Sequence, residues 1–168
     1  FASHATNILH GYFYLDDFEV IEVSSTHSFL SSLLVPHGDD HILPLFRIEM
    51  RILDALFGQN PAPYNAFVFI VFALIPFFAY LALKKLNVSI KVFAAFLILS
   101  SATPAWAEIL TGYYTVSIYL QISLFFVIGL WAYLSFTQSK KAWHLAILGV
   151  ALAAALLIDN SGIWVLPA

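Results

Sequence analysis

An all-α membrane protein is the fold class this sequence predicts: a polytopic transmembrane helix bundle whose first extracytoplasmic loop contains membrane-surface amphipathic helices. Three observations predict it. Hydrophobic residues make up 61% of the 168 residues and charged residues 10%, and the mean hydropathy is +0.88, a balance too apolar for a soluble domain of this size. Long apolar runs follow one another from Tyr64 to Ile158 with only short connections between them. The charges are segregated: all five lysines (Lys84, Lys85, Lys91, Lys140, Lys141) fall in two connections, whereas Asp16, Asp17, Glu19, Glu22, Asp39, Asp40, Glu49 and Asp54 precede the first complete run. By the positive-inside rule the lysine connections are cytoplasmic and the acidic segment lies on the other side.

Residues 1–60 form the expected extracytoplasmic loop, and residues 61–168 the helix bundle. The chain starts at Phe1 without an initiator Met and stops at Ala168 in a newly resumed apolar run, so the sequence reads as a fragment cut at both ends and inactive alone. With no cysteine there is no disulfide framework.

Within the loop, Asp16 reads as a helix N-cap with Glu19 as its capping-box partner. Adjacent residues diverge by about 100° on a helix, so one of Asp16 and Asp17 can cap while the other faces a site. Pro36 to His41 is turn chemistry followed by a helix start, with Asp40 as the cap of a helix from His41 to Phe57. Pro44 fits its first turn, where the missing N–H has no partner to lose. On that helix Arg47, Arg51 and Asp54 lie opposite Leu45, Ile48, Ile52 and Leu56, the pattern of a helix lying on a membrane surface. The arginines then read either as a solvated face with an Arg51/Asp54 pair or as a cationic shelf for a phosphate, whose oxygens match the guanidinium fork. His37, Asp39, Asp40 and His41 are a weak zinc pattern. A divalent cation held by Asp39 or Asp40 with Asp16 or Asp17 is the alternative use of these carboxylates.

Gly58 to Pro63 ends this helix and starts the first span, expected over residues 64–83; at 1.5 Å per residue it crosses about 30 Å of hydrocarbon. Pro76 is expected to kink it. Further spans are expected over about 90–104, 115–136 and 142–158, with another starting at 163. Glu108 sits in a short outer turn between Trp106 and Tyr113-Tyr114, which mark an interfacial aromatic belt. Tyr119, Gln121 and Ser123 either pack against neighbouring helices or line a polar cavity, with packing preferred. The small residues Ala151, Ala153, Ala154 and Ala155 permit close helix contact, and Asp159-Asn160-Ser161-Gly162 is a polar break expected to dip toward a cavity.

Tyr14-Leu15-Asp16-Asp17-Phe18, His41-Ile42-Leu43-Pro44-Leu45-Phe46-Arg47, Asn60-Pro61 with Tyr64, and Pro104 four residues before Glu108 together resemble the first half of polytopic GT-C-fold glycosyltransferases. The nearest likeness is to the protein O-mannosyltransferase-like group and its bacterial relatives. The resemblance covers nearly the whole chain in order, through motifs that are each short. It implies a multi-pass protein, as in a bacterial cytoplasmic membrane, that transfers a sugar from a polyprenyl-phosphate donor to a hydroxyl of a lipid, glycan or protein acceptor. It assigns to the acidic pair Asp16 and Asp17 the catalytic base, and it makes His41, Arg47 and Glu108 line the site. No nucleic acid is implied and no cofactor beyond the optional divalent cation.

The departures are specific. Relatives often carry His-Gly-Glu-His where this chain has His37-Gly38-Asp39-Asp40-His41, and a His where it has Thr103. Many carry Ser/Thr-Lys-Glu where it has Asp159-Asn160-Ser161, which leaves Arg47 or Arg51 to meet the donor phosphate. Two other classes compete: a transporter segment, which predicts ionisable groups at mid-span, and a non-catalytic multi-span subunit, which predicts no gathering of acids with arginines.

Overall fold

The structure, a computed structural model, describes residues 15–36, 41–101 and 113–159, with backbone alone for 15–17, 24, 99–101 and 113–116. All of its elements among these residues are α-helices: α1 (Leu15–Thr26), α2 (Phe29–Leu33), α3 (Pro44–Phe57), α4 (Pro61–Lys85), α5 (Ile90–Ser101), α6 (Tyr113–Ser139) and α7 (Ala142–Ile158).

Local chemistry sets most of the ends. Ser28 caps α2 by accepting from Ser31 N–H at 3.3 Å. Pro44 opens α3 at N1, and Gly58 closes it with φ 56°, its N–H donating to the Asp54 carbonyl at 2.8 Å. Asn60 caps α4 by accepting from Ala62 N–H at 3.1 Å, ahead of Pro61. The far end of α4 is a Schellman turn: Val88 N–H donates to the Leu83 carbonyl and Asn87 N–H to the Lys84 carbonyl, both at 3.1 Å, with Asn87 at φ 60°. Lys140 takes the same left-handed conformation at φ 57° after α6.

The long helices α4 and α6 pack along each other, and α7 packs back along α6. At one end Gln138 Nε2 donates to the Lys85 carbonyl at 2.8 Å; at the other Tyr64, Val68, Ile118 and Leu124 share one core with Ile158 of α7. Hence α4 and α6 run in the same direction while α7 opposes them. Helix α5 turns back beside α4 through a Tyr80–Phe93 ring contact of 5.5 Å. The five lysines all lie on helix ends or turns at one end of this bundle.

At the opposite end α3 lies against α1, α2, α4 and α7. Its Phe46, Met50 and Leu53, with Leu43 just before it, enter the core together with Val20 and Ile21 of α1. Close approach of α6 and α7 uses small residues: a Cβ built on Gly129 would stand 3.3 Å from Leu148 Cδ1 and 3.9 Å from Ala151 Cβ.

Helices α4 and α6 are long and apolar enough to cross a membrane, about 37 and 40 Å at 1.5 Å per residue. Large apolar side chains on their outer faces, among them Ile70, Phe77 and Phe126, are exposed. Helix α7, with 17 residues, is shorter than that standard.

Several expectations require correction. Helix α3 begins at Pro44, three residues later than expected, and its N-cap is Leu43, with no side-chain cap. Leu15 is already helical, so Asp16 stands within α1 and not at its N-cap. Helix α4 starts at Pro61 and α6 reaches Ser139, both longer than the apolar runs that announced them. The Arg47 side of α3 is not a solvated face: Arg47 is buried with Phe46, Met50 and Leu53, whereas Ile52 and Leu56 on the other stripe are 54% and 67% exposed. This helix carries apolar residues on two opposite sides, and the side next to Arg47 is the one that packs. The start of a further span at 163 lies outside the described residues, and Leu43 stands at the N-cap of α3 where Asp40 was expected.

Candidate functional site

The polar groups gathered at the α3 end come from four parts of the chain. The segment before α3 supplies His41, whose Nδ1 lies 3.1 Å from Oδ1 of Asp159 at the end of α7. Asp159 is enclosed, with 7% of its side chain exposed, while the His41 side chain is 47% exposed. An ionised carboxylate can only accept, so Nδ1 is the donor in this contact. The pair ties the entry of α3 to the polar break of the last described helix.

Arg47, further along the chain, is fully buried and donates from Nη1 to the Val20 carbonyl at 3.4 Å. A guanidinium in that position binds α3 to α1, the helix that carries Asp16 and Asp17. Arg51 has different partners. It donates to the carbonyl of His27 and lies over the Phe29 ring at 5.7 Å from its centroid, which ties down the α1–α2 connection. The expected cationic shelf is therefore divided: one arginine is enclosed and the other holds a turn.

Glu49, on the side of α3 facing α6, accepts from Gln121 Nε2 at 2.5 Å and from Ser117 Oγ at 3.2 Å. Gln121 Nε2 also donates to Ser117 Oγ at 2.7 Å, and both α6 residues are buried. A carboxylate reached by two donors one helical turn apart is positioned by them and in turn keeps their polar atoms satisfied inside an apolar packing surface. Tyr64 completes the end of the bundle, its hydroxyl donating to the Gly58 carbonyl at 2.9 Å.

Among the expected site residues, the structure brings His41 and Arg47 to one end of the bundle with α1, and Arg51 to its edge. The side chains of Asp16 and Asp17, and all of Asp39, Asp40 and Glu108, lie outside what is described. Among the described residues no group of three or more His, Asp or Glu is arranged to hold a metal ion. Three residues that sequence reasoning passed over matter here: Asp159, read only as part of a break, Glu49, read only as one acid among many, and Ser117. The signal for the last two was Ser117 and Gln121, two polar residues at i and i+4 on one face of an apolar helix.

No family model, no curated protein and no solved structure matches this chain.

Proposed function

We propose that the protein is a polytopic membrane glycosyltransferase that moves a sugar from a polyprenyl-phosphate donor to an acceptor hydroxyl, working at the bilayer face opposite the lysines. The observation that carries this reading is convergence. The segment holding His41, the helix holding Asp16 and Asp17, and the polar break at Asp159 are far apart in sequence, yet they are tied to one end of the bundle by the His41–Asp159 and Arg47–Val20 contacts.

The chemistry suits such a place. An acceptor hydroxyl is a poor nucleophile at neutral pH, and a carboxylate in hydrogen-bond reach contributes roughly 10²- to 10⁴-fold as general base. The departing phosphate needs no proton, only positive charge and donors near its oxygens. The exposed apolar flanks of α4 and α6 offer a prenyl chain a lipid-like path while its headgroup meets the acceptor in water. Asp16 and Asp17 are the carboxylates assigned to the base role, by the motif they stand in.

Replacing each by Asn in the intact protein tests the reading. At least one of Asp16→Asn and Asp17→Asn should lose roughly 10²-fold or more in transfer from a polyprenyl-phosphate sugar, with the melting temperature little changed. Two folded, fully active Asn variants would remove the pair from the chemistry and make Glu108 the next carboxylate to replace. A folded wild-type protein that transfers no sugar from any such donor would sink the reading in favour of a non-catalytic or transport role.

A further inference from the structure

The five lysines gather around two short connections, residues 86–89 between α4 and α5 and residues 140–141 between α6 and α7. Gln138 Nε2 donates to the Lys85 carbonyl at 2.8 Å, so one hydrogen bond joins the end of α4 to the end of α6 and brings Lys84 and Lys85 to the same end as Lys140 and Lys141. The sequence holds no Asp or Glu from residue 55 to 107 or from 109 to 158. Among the described residues no lysine has a carboxylate partner. Cations gathered without counter-charge raise the local potential and attract anions.

Local helix chemistry accounts for only part of this gathering. Lys84 and Lys85, in the last turn of α4, meet the negative end of its dipole. Lys141 is the N-cap of α7, where the dipole is positive and a cation is unfavourable, and it makes no side-chain cap. Lys140 holds a left-handed backbone at φ 57°, which costs a residue with a Cβ energy, and its Nζ lies 5.6 Å from the centroid of the Phe136 ring. Neither helix favours lysine at these two positions, and an anion held at the turn gives both a use.

The surroundings select the kind of anion. Leu86, Ile90 and Val92 beside the first connection are exposed, as is Trp143 after the second. Trp143 stacks on His144 with ring centroids 3.6 Å apart, and His144 Nδ1 lies 3.1 Å from Ser139 Oγ. An indole fixed at a helix end beside cations suits a bilayer interface, where its amphipathic ring sits at headgroup level. A soluble phosphate or a nucleic acid would meet the lysines and leave the apolar groups in water, whereas a lipid headgroup continues into chains that cover them.

We infer that the lysine end of the bundle binds an anionic phospholipid: the headgroup phosphate sits between the Lys84–Lys85 and Lys140–Lys141 pairs, and the acyl chains follow the exposed apolar residues that adjoin the two connections. The inference rests on the membrane placement in the proposed function and is independent of sugar transfer.

The test uses the intact protein in detergent micelles, titrated with phosphatidylglycerol, with phosphatidylcholine of the same chains, or with glycerol phosphate, and bound copies are counted by native mass spectrometry. Wild-type protein should hold phosphatidylglycerol about ten-fold or more tightly than phosphatidylcholine, and glycerol phosphate most weakly. The pair Lys84→Gln with Lys85→Gln and the pair Lys140→Gln with Lys141→Gln should each cut that preference about three-fold or more. All four together should abolish it while phosphatidylcholine binding stays level. Arg at the same four positions should keep it, because the charge remains. Detergent removes sidedness, so a variant that inserts the other way round in cells is read in the same way.

Equal affinity for the two lipids, a preference that survives the loss of all four lysines, or a parallel loss of phosphatidylcholine binding would each overturn the site. Glycerol phosphate held as tightly as phosphatidylglycerol would overturn the lipid. If the four-fold variant fails to fold, the Lys140 and Lys141 pair carries the same comparisons, because both residues are exposed in a turn. The two readings fail separately. A protein that needs detergent yet does not distinguish the lipids removes this site alone; the lipid preference without sugar transfer removes the transferase alone; a protein that stays in solution without detergent removes both.

Discussion

Gln121 of α6 donates its side-chain amide to Oε2 of Glu49 of α3 at 2.5 Å, and the same nitrogen reaches Ser117 Oγ at 2.7 Å. The contact joins a helix at the end of the bundle to one of its two long helices. It does so with a charged acceptor, so its strength exceeds that of a neutral amide pair. Replacing Gln121 by Leu keeps the volume and withdraws the donor, and it should destabilise the fold by about 1–3 kcal/mol in reversible unfolding measured in detergent micelles. A double-mutant cycle of Glu49→Ala and Gln121→Ala should return a coupling of roughly 0.5–3 kcal/mol. Additive losses would mean that the two side chains stabilise the fold independently.

Arg47 is enclosed on every side and bonded to α1 through the Val20 carbonyl. Arg47→Ala should cost about 3 kcal/mol, combining a cavity with polar partners left unmet. Arg47→Lys should recover only part of that, because an ammonium lacks the planar fork. Thermal melting of the three proteins measures this. An alanine variant as stable as wild type would return Arg47 to the solvated face that the helical periodicity favoured.

Gly129 stands where α6 and α7 approach. Its added Cβ would meet Leu148 Cδ1 at 3.3 Å, the movable tip of a side chain. Gly129→Ala should therefore be close to neutral, the gain in helix propensity offsetting a small shift of Leu148. Gly129→Val adds bulk against α7 that the tip of Leu148 cannot clear and should destabilise by about 1–3 kcal/mol. Equal stability of both variants would show that α7 is free to move away from α6.

Topology is open to single-cysteine labelling, because the chain has no native cysteine to confuse the signal. Gln59 and Ser89 are exposed residues, just before α4 and in the α4–α5 turn respectively. In sealed, right-side-out cells an impermeant maleimide should modify Gln59→Cys and spare Ser89→Cys until the cells are permeabilised. The opposite pattern would reverse the orientation drawn from the lysines, and equal labelling of both would deny that α4 crosses the bilayer.

The helices were largely legible because their makers and breakers are local. Ala142–Ile158 agrees with the apolar run that announced it, bounded by Lys141 and Asp159. Where the start of α4 moved, the cause was also local: Pro61 and Pro63 fit its first turn, whose opening N–H groups have no intrahelical partner. Thr137 and Gln138 stay helical beyond the apolar stretch, with Gln138 held by the Lys85 carbonyl.

The face of α3 was not legible in the same way. A periodicity of 3.6 residues shows Phe46, Met50 and Leu53 on one side and Ile48, Ile52 and Leu56 on the other, and it ranks neither as the core. Arg47 adjoined the first group, so its charge argued for the solvent side. Only the packing of α1 over that side, with a carbonyl placed to receive the guanidinium, makes it the interior.

By itself, then, the sequence determined that the chain is helical, that α4 and α6 are long and apolar enough to cross a membrane, and that lysines and carboxylates lie at separate stations along it. These properties depend on composition and on short-range hydrogen bonding, which residues within a few positions of one another settle. The tertiary structure alone decided that His41 meets Asp159, that Glu49 meets Gln121, and that Arg47 turns inward. Each joins groups that no local rule brings together: a polar atom removed from water must find a partner wherever the packing of the helices provides one, and that packing is a property of the whole chain.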